Sequence, residues 1–129
     1  MMLRILKYHW RAILWIAVIV FACLTPGEKL PGVSFFDKIP FFDKIVHFAM
    51  YFIFALFLMS GFSRQYGKTS TKAYIFSFIP AFLLGVLIEF IQEKVGRSYD
   101  IYDMTANTVG IIVSLLLFNP IKWILRNIL

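Results

Sequence analysis

Cysteine is almost missing from this chain. Cys23 is the only one in 129 residues, so no intramolecular disulfide is available. Also missing are a glycine-rich nucleotide loop, a Walker-type motif and a serine nucleophile elbow. With so little chain left for cytoplasmic mass, those absences argue against an ATP-driven transporter. Charge is sparse: 16% of residues are charged, and seven acids face 13 lysines and arginines. The strands of a transmembrane barrel would alternate apolar and polar residues. No such alternation is present, so that class is excluded.

What the chain has instead is hydrocarbon. Hydrophobic residues make up 60% of it, and the mean hydropathy is +0.80, far above a soluble composition. Four continuous apolar runs approach or reach the roughly 18–20 residues that cross a bilayer. They lie near Tyr8–Thr25, Lys44–Phe62, Lys72–Gln92 and Ile101–Trp123. The expected fold is all-α, a polytopic membrane protein with four transmembrane helices in a single domain over residues 1–129. Cys23 follows Val20-Phe21-Ala22 in a faint likeness of a lipoprotein cleavage site. Phe21 is bulky for that role and no Ala-x-Ala site is evident, so the first run is expected to be retained.

The net charge of +6 is distributed as a topology signal. Arg4, Lys7 and Arg11 precede or open the first run, Arg64, Lys68 and Lys72 separate the second from the third, and Lys122 and Arg126 end the fourth. The other two connections mix signs. The positive-inside rule then places both termini and the middle connection in the cytoplasm. The basic excess is accounted for by topology and contact with anionic lipid, and nucleic acid is not expected as a partner.

Polar groups cluster where the runs approach the opposite face. Asp43, His47 and Tyr51 share one side of a helix at i, i+4 and i+8, with Lys44 beside them. Gly85, Glu89 and Gln92 share a face near the end of the third run. Arg97, Asp100, Asp103 and Asn107 lead into the fourth, followed by Gly110. Ionisable groups at membrane depth are costly and mark function or pairing. The expectation is that these distant segments converge on one outward-facing polar pocket. A short tandem repeat, Phe35-Phe36-Asp37-Lys38-Ile39 and Phe41-Phe42-Asp43-Lys44-Ile45, precedes it. The first copy is expected to lie along the membrane surface and the second to enter a helix, because Pro40 separates them.

Three readings of this cluster stay open. In the first, it handles an envelope-lipid headgroup: Arg97 and Lys44 bind phosphate, His47 and Glu89 serve as catalytic acid and base, and Asp100 or Asp103 orients His47. In the second, Asp43, Lys44, Gln92, Arg97, Asp100, Asp103 and Asn107 bind a lipid-linked precursor, an antibiotic or a partner protein without chemistry. In the third, the charges pair with one another and Asn107 and Gln92 join helices. Asp43, His47, Glu89 and Asp103 are the residues able to ligate a divalent ion. They lack the compact spacing of a zinc motif and two cations lie close, so no resident metal or cofactor is expected.

The segments Asp43-Lys44-Ile45-Val46-His47-Phe48 with Tyr51, Glu89-Phe90-Ile91-Gln92, and Arg97-Ser98-Tyr99-Asp100-Ile101-Tyr102-Asp103 with Asn107 and Gly110 resemble the VanZ-like family of bacterial membrane proteins. The likeness spans about Asp43 to Gly110, and the four-run layout agrees over the chain. It implies a multi-pass protein of the bacterial cytoplasmic membrane with a tie to the cell envelope. The family takes its name from an accessory protein of glycopeptide (teicoplanin) resistance. The implied partners are therefore membrane lipids, a lipid-linked envelope precursor or a glycopeptide antibiotic, with a homo-oligomer as a further expectation. The resemblance carries no settled reaction.

Overall fold

Helix boundaries follow from capping chemistry. The computed structural model describes residues 2–25, 39–67, 70–127 and 129. Five helices occur among them: α1 (Met2–Leu24), α2 (Phe42–Tyr66), α3 (Thr71–Lys94), α4 (Ile101–Leu116) and α5 (Phe118–Ile124), with no strand among the described residues. Ser70 caps α3, its side chain accepting the Ala73 N–H at 3.2 Å. Asp100 caps α4 in the same way, accepting the Tyr102 N–H at 2.8 Å. Pro40 and a left-handed Phe41 (φ 61°) precede α2, and Asp43 occupies its first turn, where the helix dipole favours an acid. At the end of α3, Gly96 takes φ 84° and the Arg97 N–H reaches back to the Gln92 carbonyl at 3.0 Å. That glycine turn folds the chain back so that Arg97 lies over the bundle end.

α1 to α4 run up and down in turn. α2 is the central one: 56% of its most apolar window is buried, against 17% for α1 and 28% for α3. The His9 ring of α1 packs 4.3 Å from the Phe62 ring of α2, and Trp15 Nε1 donates to the Met50 carbonyl at 2.9 Å. Tyr66 stacks on Phe76 of α3, and Phe62 packs tilted against the same ring. α2 and α4 run parallel. Lys44 meets Asp100 at one end, and Lys122, in α5 beyond α4, donates to Ser63 Oγ at 3.3 Å at the other. Between these ends the two backbones touch at Gly110. Three helices are long and apolar enough to cross a membrane, and four spans result if α4 and α5 count as one.

The fourth run is where sequence and structure differ. A continuous span over Ile101–Trp123 is expected, yet α4 stops at Leu116 and α5 leaves it at 64°. Pro120 supplies the reason: it has no N–H to offer the Leu116 carbonyl, and its ring clashes with that carbonyl in a straight helix. It is tolerated instead in the first turn of α5. The straight part is 16 residues, about 24 Å at 1.5 Å per residue. Pro80, by contrast, leaves α3 unbroken. The second copy of the tandem repeat opens α2 as expected. The first copy, apart from Ile39, lies outside the described residues.

The polar groups are also less one-sided than the sequence suggests. His9, Ser60, Ser63, Ser77 and Ser114 are all buried away from the main cluster. The serines satisfy themselves locally in part: Ser77 Oγ donates to the Ala73 carbonyl at 2.6 Å and Ser63 Oγ to that of Ser60 at 3.1 Å.

Candidate functional site

The start of α2, the end of α3 and the start of α4 converge at one end of the bundle, and they bring the nine singled-out residues together. Lys44 is the hub of the outer part. Its Nζ lies 2.5 Å from Asp100 Oδ2, 2.7 Å from Asp103 Oδ1 and 3.4 Å from Asp43 Oδ2. Asp100 is held below the usual carboxylate range by this lysine and by the Tyr102 N–H it caps. The lysine therefore ties the first turn of α2 to the first turn of α4.

One helical turn deeper lies His47, 1% exposed. Its Nδ1 is 3.0 Å from Asn107 Oδ1, and with that amide orientation the ring N–H donates and the amide oxygen accepts. Nε2 faces Asp103 Oδ2 at 3.6 Å and Asp43 Oδ1 at 3.8 Å. Glu89 has no exposure at all. Its Oε1 lies 3.8 Å from His47 Nδ1, and its Oε2 accepts a long 3.5 Å contact from the Asp100 N–H. Glu89 Oε1, Asn107 Nδ2 and the Tyr51 hydroxyl have no hydrogen-bond partner among the described residues. Unsatisfied polar atoms at this depth are expensive, and here three of them belong to side chains gathered around one centre. Tyr51 shares the α2 face of Asp43 and His47 and is fully buried. It belongs with the site, although its spacing alone did not distinguish it from a core aromatic. Gly85 leaves the space that the Tyr51 ring and the Asn107 amide fill.

Gln92 and Arg97 do different work. Gln92 Nε2 donates to the Cys23 carbonyl at 2.9 Å, and Arg97 Nη1 donates to the carbonyls of Ala22 and Cys23 at 3.3 Å each. Both satisfy the unpaired end of α1. Arg97 reaches the cluster through Asp43, 3.7 Å from its Nη2. A groove of about 510 Å³ runs beside this network between α2 and α4. Phe41, Ile45, Phe48, Tyr102, Ala106 and Val109 line it, and Lys44 joins it to the polar centre.

A family model described as VanZ/LLP1 matches residues 5–125, nearly the whole chain and every residue of the cluster. The chain belongs to the VanZ/LLP1 family. Searches of curated proteins and of solved structures gave no match. Membership in the VanZ/LLP1 family confirms the likeness read from the three polar segments, and the helical bundle agrees with a multi-pass membrane protein.

Proposed function

We propose that this VanZ/LLP1 protein binds an envelope lipid of the bacterial cytoplasmic membrane, with the lipid's chain in the α2–α4 groove and its phosphate-bearing head at the polar cluster. The observation that carries this reading is the continuity of groove and network through Lys44, which lines the first and pairs within the second. An amphiphile needs that juxtaposition: apolar walls for a chain and cations within reach of a phosphate. The basic residues Arg64, Lys122 and Arg126 gather toward the opposite end of the bundle, so the positive-inside rule turns the cluster outward and leaves both termini in the cytoplasm.

Mass spectrometry of lipids retained through purification tests the binding. A phosphate-bearing lipid enriched over bulk membrane lipid is expected. Ala106→Trp, which fills the groove, is expected to lose that enrichment while the helix content holds. Retention equal to bulk lipid, or indifference to Ala106→Trp, overturns the reading. For orientation, Ser98→Cys is expected to react with a membrane-impermeant maleimide on intact cells, and Gln65→Cys only after permeabilisation. Both positions are exposed, and the reverse pattern inverts the topology.

Chemistry on the bound head is a second reading, and a specific geometry favours it. A buried histidine oriented by Asn107 sits 3.8 Å from a carboxyl that lacks a full set of partners. In that case Glu89→Gln keeps the lipid but stops its turnover.

A further inference from the structure

We propose that Asp43, His47 and Asp103 form a divalent-cation site. One oxygen from each carboxylate and one imidazole nitrogen lie within 4.8 Å of one another. The separations from His47 Nε2, 3.6 Å to Asp103 and 3.8 Å to Asp43, are too long for hydrogen bonds. They are close to the spacing of neighbouring ligands around one ion, which is about 3–3.5 Å for metal–ligand bonds of about 2.1 Å.

The direction of the imidazole is the independent observation. His47 is buried, and its Nδ1–H is committed to Asn107 Oδ1 at 3.0 Å. That leaves Nε2 facing two carboxylates, Asp103 Oδ2 at 3.6 Å and Asp43 Oδ1 at 3.8 Å. Such an arrangement calls for positive charge at that point, which a bound cation supplies, as does a proton on the ring; the metal titration separates the two. An outer amide that fixes the tautomer of a ligating histidine is the usual companion of such a site. Asp103 divides its two oxygens accordingly: Oδ1 takes Lys44 at 2.7 Å, and Oδ2 faces Nε2.

Charge points the same way. Asp43, Glu89, Asp100 and Asp103 are four carboxylates in the cluster, against two cations, Lys44 and Arg97. The carboxylates outnumber those two cations, an excess that a bound cation or a protonated His47 offsets. The two cations that argue against a metal on sequence grounds share acids with the site but leave room in it: Lys44 takes Asp100 and Asp103 Oδ1, not Oδ2, and Arg97 stands 3.7 Å from Asp43 Oδ1 while its other nitrogen is held by the α1 carbonyls. One imidazole with two carboxylates suits Mn²⁺, Fe²⁺ or Zn²⁺. An ion there would also present open coordination positions to phosphate oxygens. The cation site does not depend on the lipid reading, and the metal alone tests it.

Full-length protein in detergent, stripped with a chelator, is titrated with Mn²⁺ and followed by loss of the free-ion EPR signal. One saturable site per chain is expected. Asp103→Asn and His47→Gln, both close in size, are expected to weaken it at least tenfold, and Asn107→Ala by 10- to 100-fold. Glu93→Gln, an exposed acid of α3 outside the cluster, is expected to bind as the parent does. Circular dichroism and size-exclusion profiles matching the parent establish that each variant is folded. Absence of saturable binding in the parent overturns the proposal, and so does undiminished binding by folded Asp103→Asn and His47→Gln. Because no lipid is added, failure of the lipid reading leaves this result standing.

Discussion

Replacing Gly110 with leucine is expected to leave little folded protein, and Gly110→Ala to cost about 1–3 kcal/mol. A β-carbon at this position runs into the Phe48 carbonyl oxygen and comes within 3.2 Å of the Phe48 carbonyl carbon and the Phe52 nitrogen. All three are backbone atoms of α2, so no side chain can swing aside. Either the helices separate or the main chain distorts. Alanine's better helix propensity, about 1 kcal/mol over glycine, offsets only part of that. Gly85 provides the contrast. A β-carbon there meets the Tyr51 ring at 3.4 Å and the Asn107 amide nitrogen at 3.6 Å, which is ordinary contact. Gly85→Ala is therefore expected to unfold at the parent temperature or slightly above. Thermal unfolding in a mild detergent, followed by circular dichroism, measures all three variants. Parent-like stability of Gly110→Ala would refute the close α2–α4 approach.

The second large effect belongs to Lys44. Its Nζ serves two carboxylates on α4, and the Asp103 side chain is only 7% exposed. Lys44→Met strands both. Breaking a buried ion pair from one side costs about 3–5 kcal/mol. Lys44 itself is 29% exposed, so about 2–3 kcal/mol is expected after allowing for water and salt. Lys44→Met combined with Asp100→Asn and Asp103→Asn is expected to recover most of that loss, because the two acids that Lys44 served are then neutral and asparagine still caps α4. A triple variant as unstable as the single one would show that Lys44 acts through packing rather than charge.

The convergence itself was legible in the chain. The spacing of Asp43 and His47 puts them on one face, and the Asp100, Asp103 and Asn107 stripe puts the matching face on another helix. Topology alone then brings the two to the same end. The cation pairing was legible only as a list of candidates, because which acid takes Lys44 depends on helix rotation. The bend after Leu116 was missed because Pro120 looks the same in letters whether it ends a span or breaks one. The roles of Gln92 and Arg97 were hidden for a different reason: their partners are main-chain carbonyls, and every residue carries one. The groove was hidden too, since Phe48, Ala106 and Val109 read alike whether they face lipid tails or a cleft. His9 against Gly61 pairs a ring with a missing side chain 52 positions away, and no local pattern marks such a fit.

The hold of α1 on the rest of the protein has an evolutionary consequence. Near its far end the helix is grasped by its peptide oxygens, so the side chains at 22 and 23 are bystanders to that grip. Mutational drift there should run freely through any small residue, while the two grasping side chains on the neighbouring segment tolerate almost no replacement. A saturation library scored for folded, membrane-inserted protein would show that asymmetry as a permissive stretch facing two intolerant columns.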